Sequence, residues 1–203
     1  MKRIFLSAML LVGLAATASA QTPGSIGVKA GFNYSSIEGK NIDLDYRPGY
    51  SAGFFLNAPL TADGALSVQQ EVSYSLKGSK AEKDGAKEDL RLGYIEAPLV
   101  IRYKKSNFFV EGGVQAGILV TTDYTLKFQD ETFSTDKSSD LKLNTFDLGY
   151  VGGVGYQMGN GFQGGVRYSR SFIRIFNDNA LLGGSKAANS AFQLYVGYSI
   201  NGK

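Results

Sequence analysis

The sequence lacks the residue types on which many enzyme and metal sites depend. Among its 203 residues there is no Cys, no His and no Trp. Without Cys the chain forms no disulfide and no thiolate metal site, and without His it lacks the usual base of hydrolases and the commonest zinc ligand. The composition therefore argues against most hydrolase and zinc chemistry, and we expect no cofactor and no metal.

An excess of charge of one sign is also missing. The chain has 21 Lys and Arg against 18 Asp and Glu. Two of the basic residues, Lys2 and Arg3, lie in a segment that we expect to be removed, which leaves 19 (21 − 2) against 18, or a net charge of +1. A balance so close to zero offers no electrostatic surface for nucleic acid, so we expect no such partner.

The first 20 residues are organised like a secretory signal peptide. Lys2 and Arg3 precede an apolar stretch at 4–16, and the small residues Ala-Ser-Ala follow at 18–20. The apolar stretch is too short for a comfortable membrane span. We predict cleavage between Ala20 and Gln21, so that residues 21–203 form one mature domain outside the cytoplasm.

Beyond Pro23 the sequence alternates between apolar and small or polar residues, with no sustained helical period. Leu66 and Val68 share one face of the clearest segment, for example, while Ser67 and Glu71 share the other. Eight segments follow this pattern, at about 26–35, 50–57, 66–76, 90–103, 108–120, 146–156, 162–172 and 192–200. Segments of about nine residues are long enough to cross a bilayer as tilted strands. The pattern predicts an all-β fold.

The connections between these segments alternate strictly between short and long. Those after the second, fourth and sixth segments are short, at 59–64, 104–106 and 158–161. Those after the first, third, fifth and seventh are long and polar, at 36–48, 78–89, 121–144 and 173–191. This sorting is typical of outer-membrane barrels. We predict an eight-stranded antiparallel up-and-down transmembrane β-barrel, monomeric, with both termini in the periplasm.

Bulky aromatic residues decide which face of each strand meets lipid. They lie on the apolar face in numbers too large for a narrow eight-stranded interior, so we expect them outside. The alternative is a soluble lipocalin-like barrel with an apolar pocket. Ten of them fall near strand ends and predict two aromatic girdles: Tyr34, Tyr50, Tyr74, Tyr103, Phe108, Tyr150, Tyr156, Phe162, Tyr168 and Tyr198.

The opposite face carries charged residues that would point into the lumen: Lys29, Glu71, Glu96, Arg102, Glu111, Asp147 and Arg167. Glu71 and Glu96 are at similar depth, and two carboxylates in a dry interior need a cation between them. Arg167 is our candidate. The favoured interpretation is a structural plug of ion pairs, and the alternative is an ion pathway or proton relay.

The fourth segment contains the most specific motif. Leu90 and Leu92 differ in parity from Ile95 and the residues after it, which predicts a bulge near Gly93 or Tyr94. The run 90–99, LRLGYIEAPL, resembles the Y-x-E-x-P-L segment of the PorT-like, or "porin family", outer-membrane β-barrel proteins of Bacteroidota. The runs 109–113, 146–149 and 153–156 are similar to later strands of that family. The resemblance implies an outer-membrane barrel and brings no catalytic residues with it.

The resemblance and the loop pattern together define the functional expectation. We expect a non-enzymatic barrel with a structural or loop-mediated binding role, in contact with outer-membrane lipid and with the barrel-insertion machinery. The long connections at 121–144 and 173–191 are the candidate contacts for a protein or ligand. A narrow pore or a transport or secretion accessory is the alternative, and a membrane-embedded hydrolase or acyltransferase is a third. The chain departs from many outer-membrane barrels because it ends in Lys203 rather than in an aromatic residue.

Overall fold

The structure, a computed structural model, describes residues 24–38, 44–83, 86–128, 131–135, 143–175 and 187–201. Within these ranges the chain forms nine β-strands: β1 Ser25–Glu38, β2 Asp45–Pro59, β3 Leu66–Lys83, β4 Ala86–Lys105, β5 Phe108–Phe128, β6 Glu131–Thr135, β7 Phe146–Gln157, β8 Phe162–Ser171 and β9 Ala188–Asn201. In these same ranges there is no helix long and apolar enough to span a membrane.

Eight of the strands form a closed antiparallel ring. The order around the sheet is β4-β3-β2-β1-β9-β8-β7-β5, and the pairing of β4 with β5 closes it. The remaining strand, β6, lies outside the ring. It pairs with residues 124–128 of β5, beyond the part of β5 that pairs with β7. The predicted eight-stranded antiparallel barrel is therefore confirmed. Closure leaves no free edge within the ring, so its backbone groups can be paired without water.

The two faces of the wall have opposite polarity, and the apolar face is outside. Phe54 is 66% exposed on the outer surface, whereas Glu71 is 2% exposed in the interior. Val110, Leu194 and Val196 also lie exposed on the outside. The soluble lipocalin-like alternative is wrong, because that fold needs its apolar face inside.

The interior also contains a few aromatic rings, although we expect bulky aromatic residues outside the barrel. Phe55, Tyr94, Phe109 and Tyr195 are all buried in the lumen. Glycines on neighbouring strands make room for three of them. The Phe109 ring, for example, lies where a Cβ atom on Gly155 would be. The glycine-rich inner face thus provides space for rings as well as for charges.

Both chain ends of the barrel lie at the rim that carries the short turns, which we call the short-turn rim. Ser25 pairs with Asn201 there, beside turns at 60–65, 106–107 and 158–161. The turn at 158–161 requires a glycine. Gly161 has a φ of 92°, and a Cβ atom there would collide with the carbonyl oxygen of Ser199, so this turn depends on glycine.

At the opposite rim, which we call the extended rim, two predicted loops are largely strand. The connection at 78–89 was expected to be a long loop, but β3 continues to Lys83 and β4 begins at Ala86. The connection at 121–144 contains the end of β5 and all of β6. Opposite charges face each other across the extended hairpin, as where Lys87 Nζ lies 3.0 Å from Glu82 Oε1. Such cross-strand pairs favour the ladder over a loop.

The predicted bulge is at the expected level but in the neighbouring strand. Leu90 and Leu92 point inward together with Tyr94 and are all buried, so the side-chain parity of β4 does not change. The register between β4 and β5 shifts between Gly93 and Tyr94, and the shift leaves Val120 of β5 unmatched. The prediction of a parity change within β4 is wrong because the interior is not polar throughout and becomes apolar near the extended rim.

Candidate functional site in the lumen

Five buried charged side chains meet in the middle of the barrel. We call this set the central charge cluster: Lys29, Glu71, Arg102, Glu111 and Arg167. They come from β1, β3, β4, β5 and β8. Each occupies the inward parity of its strand, which is why an alternating sequence directs them all to the lumen.

Arg167 connects opposite walls of the barrel. Its Nη1 and Nη2 atoms donate to the two carboxylate oxygens of Glu71 at 2.9 and 2.8 Å. Its Nε and Nη2 atoms also donate to Oε1 of Glu111 at 2.9 and 2.6 Å. In the ring of eight, β3 and β8 are four strands apart in either direction. This guanidinium therefore crosslinks the full diameter of the lumen, with a bidentate geometry that Lys cannot reproduce.

Further partners complete the cluster. Lys29 forms an ion pair with Glu71, and Arg102 donates from Nη2 to Oε2 of Glu111 at 2.8 Å. The Tyr195 hydroxyl donates to Oε1 of Glu111 at 3.2 Å. Three cations thus surround two carboxylates, so the central charge cluster has a formal charge of +1.

A second group of charges lies nearer the extended rim and balances the first. Lys77 pairs with Glu96 at 2.5 Å, Gln115 Nε2 donates to Glu96 at 2.8 Å, and the Ser171 hydroxyl donates to Asp147. This group has one cation and two carboxylates, or a formal charge of −1. The named lumenal charges therefore sum to zero, as a low-dielectric interior requires.

The prediction that Arg167 separates Glu71 from Glu96 was half wrong. Arg167 does bind Glu71, but its second carboxylate is Glu111, and the cation beside Glu96 is Lys77. Sequence reasoning overlooked Lys77. It has the same parity as Glu71 and lies six residues further along β3, so alternation alone could have placed it in the lumen.

The space between these two groups is small. A cavity lined by residues of both, including Glu71, Lys77 and Glu96, has about 10 Å³ of free volume. A second cavity of about 10 Å³ is lined by Asp147 and Asn189. Each has about the room that one water molecule needs. In the described part of the chain no group of three or more Asp or Glu side chains could hold a metal ion.

Toward the extended rim the interior becomes apolar. We call this buried set the apolar mouth cluster: Ile37, Leu90, Leu92, Tyr94, Leu119, Leu143, Ile175 and Ala187. Leu92 is completely buried, while its neighbour Arg91 points outward and is half exposed. At this level the barrel changes from an inside-out polarity to that of a water-soluble protein. The change indicates where the strands leave the hydrocarbon.

The strands that extend past this level form what we call the projecting sheet, residues 79–83, 86–93, 121–128 and 131–135. An ion pair attaches it to β2, since Arg47 Nε donates to Asp89 Oδ1 at 2.6 Å. The Arg47 side chain passes over Gly78, whose φ of 142° and missing Cβ leave room for it. Partial burial would raise the pKa of Asp89, but the hydrogen bond and charge of Arg47 outweigh it and hold that pKa below its usual value.

The ten aromatic residues expected in girdles lie on the outer surface in two groups. Near the short-turn rim, Phe108 packs edge-on against Tyr156 with ring centroids 5.0 Å apart. Toward the extended rim, Tyr50 and Tyr74 pair at 6.2 Å. The remaining members follow the same division, with Tyr103, Phe162 and Tyr198 near the short-turn rim and Tyr34, Tyr150 and Tyr168 toward the other. The predicted cleavage residues Ala20 and Gln21 lie outside the described residues.

A closed eight-stranded ring with an apolar exterior and an ion-paired interior defines a transmembrane β-barrel. The sequence independently matches the model of the outer membrane protein beta-barrel domain over residues 19–177. The chain belongs to this family, and it is a small outer-membrane β-barrel protein.

Solved structures with the same fold include proteins from Yersinia pestis and from Neisseria. Ail, the attachment invasion locus protein of Yersinia pestis, is 15% identical with a TM-score of 0.54, over 88% of this chain and 99% of Ail. Ail has also been crystallised with the heparin analogue sucrose octasulfate. Neisserial surface protein A is 12% identical with a TM-score of 0.54, over 86% and 97% of the two chains. No curated protein matches the sequence.

Proposed function

We propose that this protein is a non-enzymatic outer-membrane barrel that is closed to ions by its lumenal charges and acts by binding a partner through the projecting sheet. The observation that carries the closed lumen is the Arg167 bridge between β3 and β8. A conducting pathway would have to pass a guanidinium bound on both sides by carboxylates. Ion-paired side chains filling an eight-stranded interior are the expected alternative to an open channel.

Single-channel recording tests the closed lumen directly. The refolded full-length protein in a planar bilayer is expected to give no stable conductance steps. Arg167→Ala should also remain closed, because the apolar mouth cluster blocks the same lumen at a second level. Stable steps from the unmodified protein would contradict the proposal and favour a narrow pore.

The projecting sheet supports a binding role because it is large and hydrogen-bonded along its length. The strands β4 and β5 have 20 and 21 residues, whereas β8 has 10. The eight residues 86–93 of β4 extend about 27 Å along the strand. Cross-strand hydrogen bonds and the Arg47–Asp89 ion pair hold this surface in one conformation, so a partner meets a preorganised surface.

The charges at the extended rim restrict the class of partner. The segments 36–48, 78–91, 121–145 and 172–191 together contain 11 Lys and Arg against 13 Asp and Glu, a net charge of −2. A polysulfated ligand such as the one bound to Ail needs a basic surface. We therefore propose a protein partner with mixed charges rather than a polyanion. Retention of the purified barrel on heparin at physiological salt would contradict this choice.

Shortening the projecting hairpin tests the binding role. In the variant, residues 125–139 are replaced by a short Gly-Ser linker, which keeps Leu119 and Leu143 of the apolar mouth cluster. We expect normal insertion, measured as heat-modifiable gel mobility, and the loss of at least one adduct formed when intact cells are treated with an amine-reactive crosslinker. The same set of adducts from both proteins would remove the sheet as a binding surface.

We further propose that residues 1–20 are a signal peptide and that the mature barrel is 21–203, a monomer with both termini in the periplasm. We also propose that the barrel-insertion machinery assembles it. The 90–99 motif supports placement among the PorT-like barrels of Bacteroidota.

Mass spectrometry of the protein from outer membranes is expected to give a first residue of Gln21. Protease added to intact cells should cut the projecting sheet and spare a C-terminal tag.

A further inference from the structure

The ladder between β3 and β4 is interrupted inside the membrane. Gln70 pairs with Leu99 and Ser73 pairs with Glu96, but the two residue pairs between them are not matched. Pro98 lies in this gap and has no N–H group to donate. The closed ring offers no free edge where a proline could be placed without loss.

Two backbone carbonyls at the gap receive their hydrogen bonds from a side chain. The Nε2 atom of Gln70 donates to the carbonyl oxygen of Glu71 at 3.0 Å and to that of Pro98 at 3.1 Å. In an unbroken antiparallel ladder, residue 98 and residue 71 would exchange both of their backbone hydrogen bonds. Of these two bonds the proline removes the one donated to the Glu71 carbonyl. The Gln70 amide thus replaces that lost donor and also donates to the carbonyl of Pro98 itself.

The position of Gln70 makes this arrangement unusual. Its parity is that of Val68 and Val72, so the side chain lies on the outer face of the wall. It is four residues, about 13 Å along the strand, from the Leu66–Tyr103 pair at the short-turn rim. At this depth the lipid side of the wall offers no water to satisfy a backbone carbonyl. A polar side chain that faces lipid is otherwise unfavourable, so a compensating contact is expected.

We propose that Gln70 is an amide latch, a lipid-facing positioning residue that closes the gap caused by Pro98 and thereby holds Glu71 in place for Arg167. Glu71 connects the two sides of the wall. Gln70 binds its backbone carbonyl on the outside, and Arg167 binds its carboxylate on the inside. The cavity behind the gap is lined by Glu71, Glu96 and Pro98. At this position side-chain hydrogen bonds of Gln70 supplement the backbone ladder of the wall between lumen and lipid.

The direction of the stability change caused by one substitution distinguishes the amide latch from an ordinary lipid-facing residue. Replacing a lipid-exposed polar residue by an apolar one should stabilise a membrane protein. Gln70→Leu is instead expected to lower the urea midpoint of the refolded barrel in lipid vesicles. It should also accelerate amide hydrogen exchange about tenfold at residues 71–73 and at residues 96, 97 and 99, from the loss of two hydrogen bonds. Val68→Leu, on the same face and strand, should leave exchange unchanged.

Restoring the backbone donor provides the decisive control. In a Pro98→Ala background the N–H group is present, so Gln70→Leu should change exchange by less than twofold. A higher urea midpoint in Gln70→Leu, or an equal effect in both backgrounds, would overturn the latch. Pro98→Ala alone should slow exchange at residues 71–73, which keeps the proposal testable even when Gln70→Leu does not insert. Unchanged or faster exchange there would also overturn it.

Discussion

Removing the guanidinium of Arg167 is the most informative perturbation of this barrel. In Arg167→Ala, Glu71 and Glu111 lose four hydrogen bonds between them and stay buried in the lumen. Breaking a buried ion pair by deleting one partner costs about 3–5 kcal/mol. Lys29 and Arg102 remain as partners of the two carboxylates, so we expect a loss near the lower end, about 3 kcal/mol.

Urea unfolding in lipid vesicles measures this loss. With an m-value of about 2 kcal/mol/M, a loss of about 3 kcal/mol lowers the midpoint by about 1.5 M. The chain has no Trp, so unfolding is followed by circular dichroism and by the heat-modifiable gel shift. Arg167→Lys should lose less, because it keeps the charge but not the bidentate geometry.

Arg170 provides the matched control. It lies three residues away on the same strand and pairs with Glu38 at 2.9 Å, but its side chain is 41% exposed. Arg170→Ala should cost less than about 1 kcal/mol, as exposed pairs do. Equal midpoints for Arg167→Ala and Arg170→Ala would refute the reasoning, because the argument depends on burial rather than on the presence of an ion pair.

Three further predictions concern other parts of the molecule. Leu92→Asn places an amide in the fully buried apolar mouth cluster and should cost about 3 kcal/mol in urea unfolding; a change below 1 kcal/mol would mean that this region is open to water. Gly155→Ala should cost about 1–3 kcal/mol because its Cβ would occupy the position of the Phe109 ring, whereas Gly159→Ala, which meets open space, should be neutral; equal effects would contradict the packing argument. The lowered pKa of Asp89 means that its ion pair with Arg47 stabilises the projecting sheet fully above about pH 4 and is lost as the pH falls through that lowered pKa. Protection factors of the β3 and β4 amides, which are corrected for the intrinsic pH dependence of exchange, should therefore fall below pH 4 in the parent protein but not in Asp89→Asn. Identical pH profiles would remove the ion pair as the cause.

Alternation and loop sorting were sufficient to predict the barrel, because both are direct consequences of a strand that separates lipid from a narrow lumen. They also placed Glu71, Glu111 and Arg167 on one face. Their pairing was not predictable, since Glu111 and Arg167 meet because both pair with Gly153 of the intervening strand β7, and this register cannot be read from the sequence. The depth estimate selected Glu96 instead, whose partner is Lys77.

The extended rim was the least predictable region. Leu90 and Leu92 point inward like Glu96, but a rule that requires polar residues inside assigns them to the outside. Where the strands extend beyond the membrane, apolar residues lie inside and polar residues outside. No local sequence signal marks the residue at which this change occurs. The charged residues at 80–89 have the composition of a loop, yet their signs alternate across a hairpin and stabilise strands.

The bridge across the barrel constrains the order of assembly. Glu71 is made early in the chain and Arg167 late, so a half-inserted intermediate would hold carboxylates in hydrocarbon with part of their counter-charge still outside. Such an intermediate is unfavourable, whereas the last strands bring neutrality and closure together. Insertion into the bilayer and closure of the barrel are therefore expected to be a single cooperative event. A truncated chain is expected to have no stable inserted state.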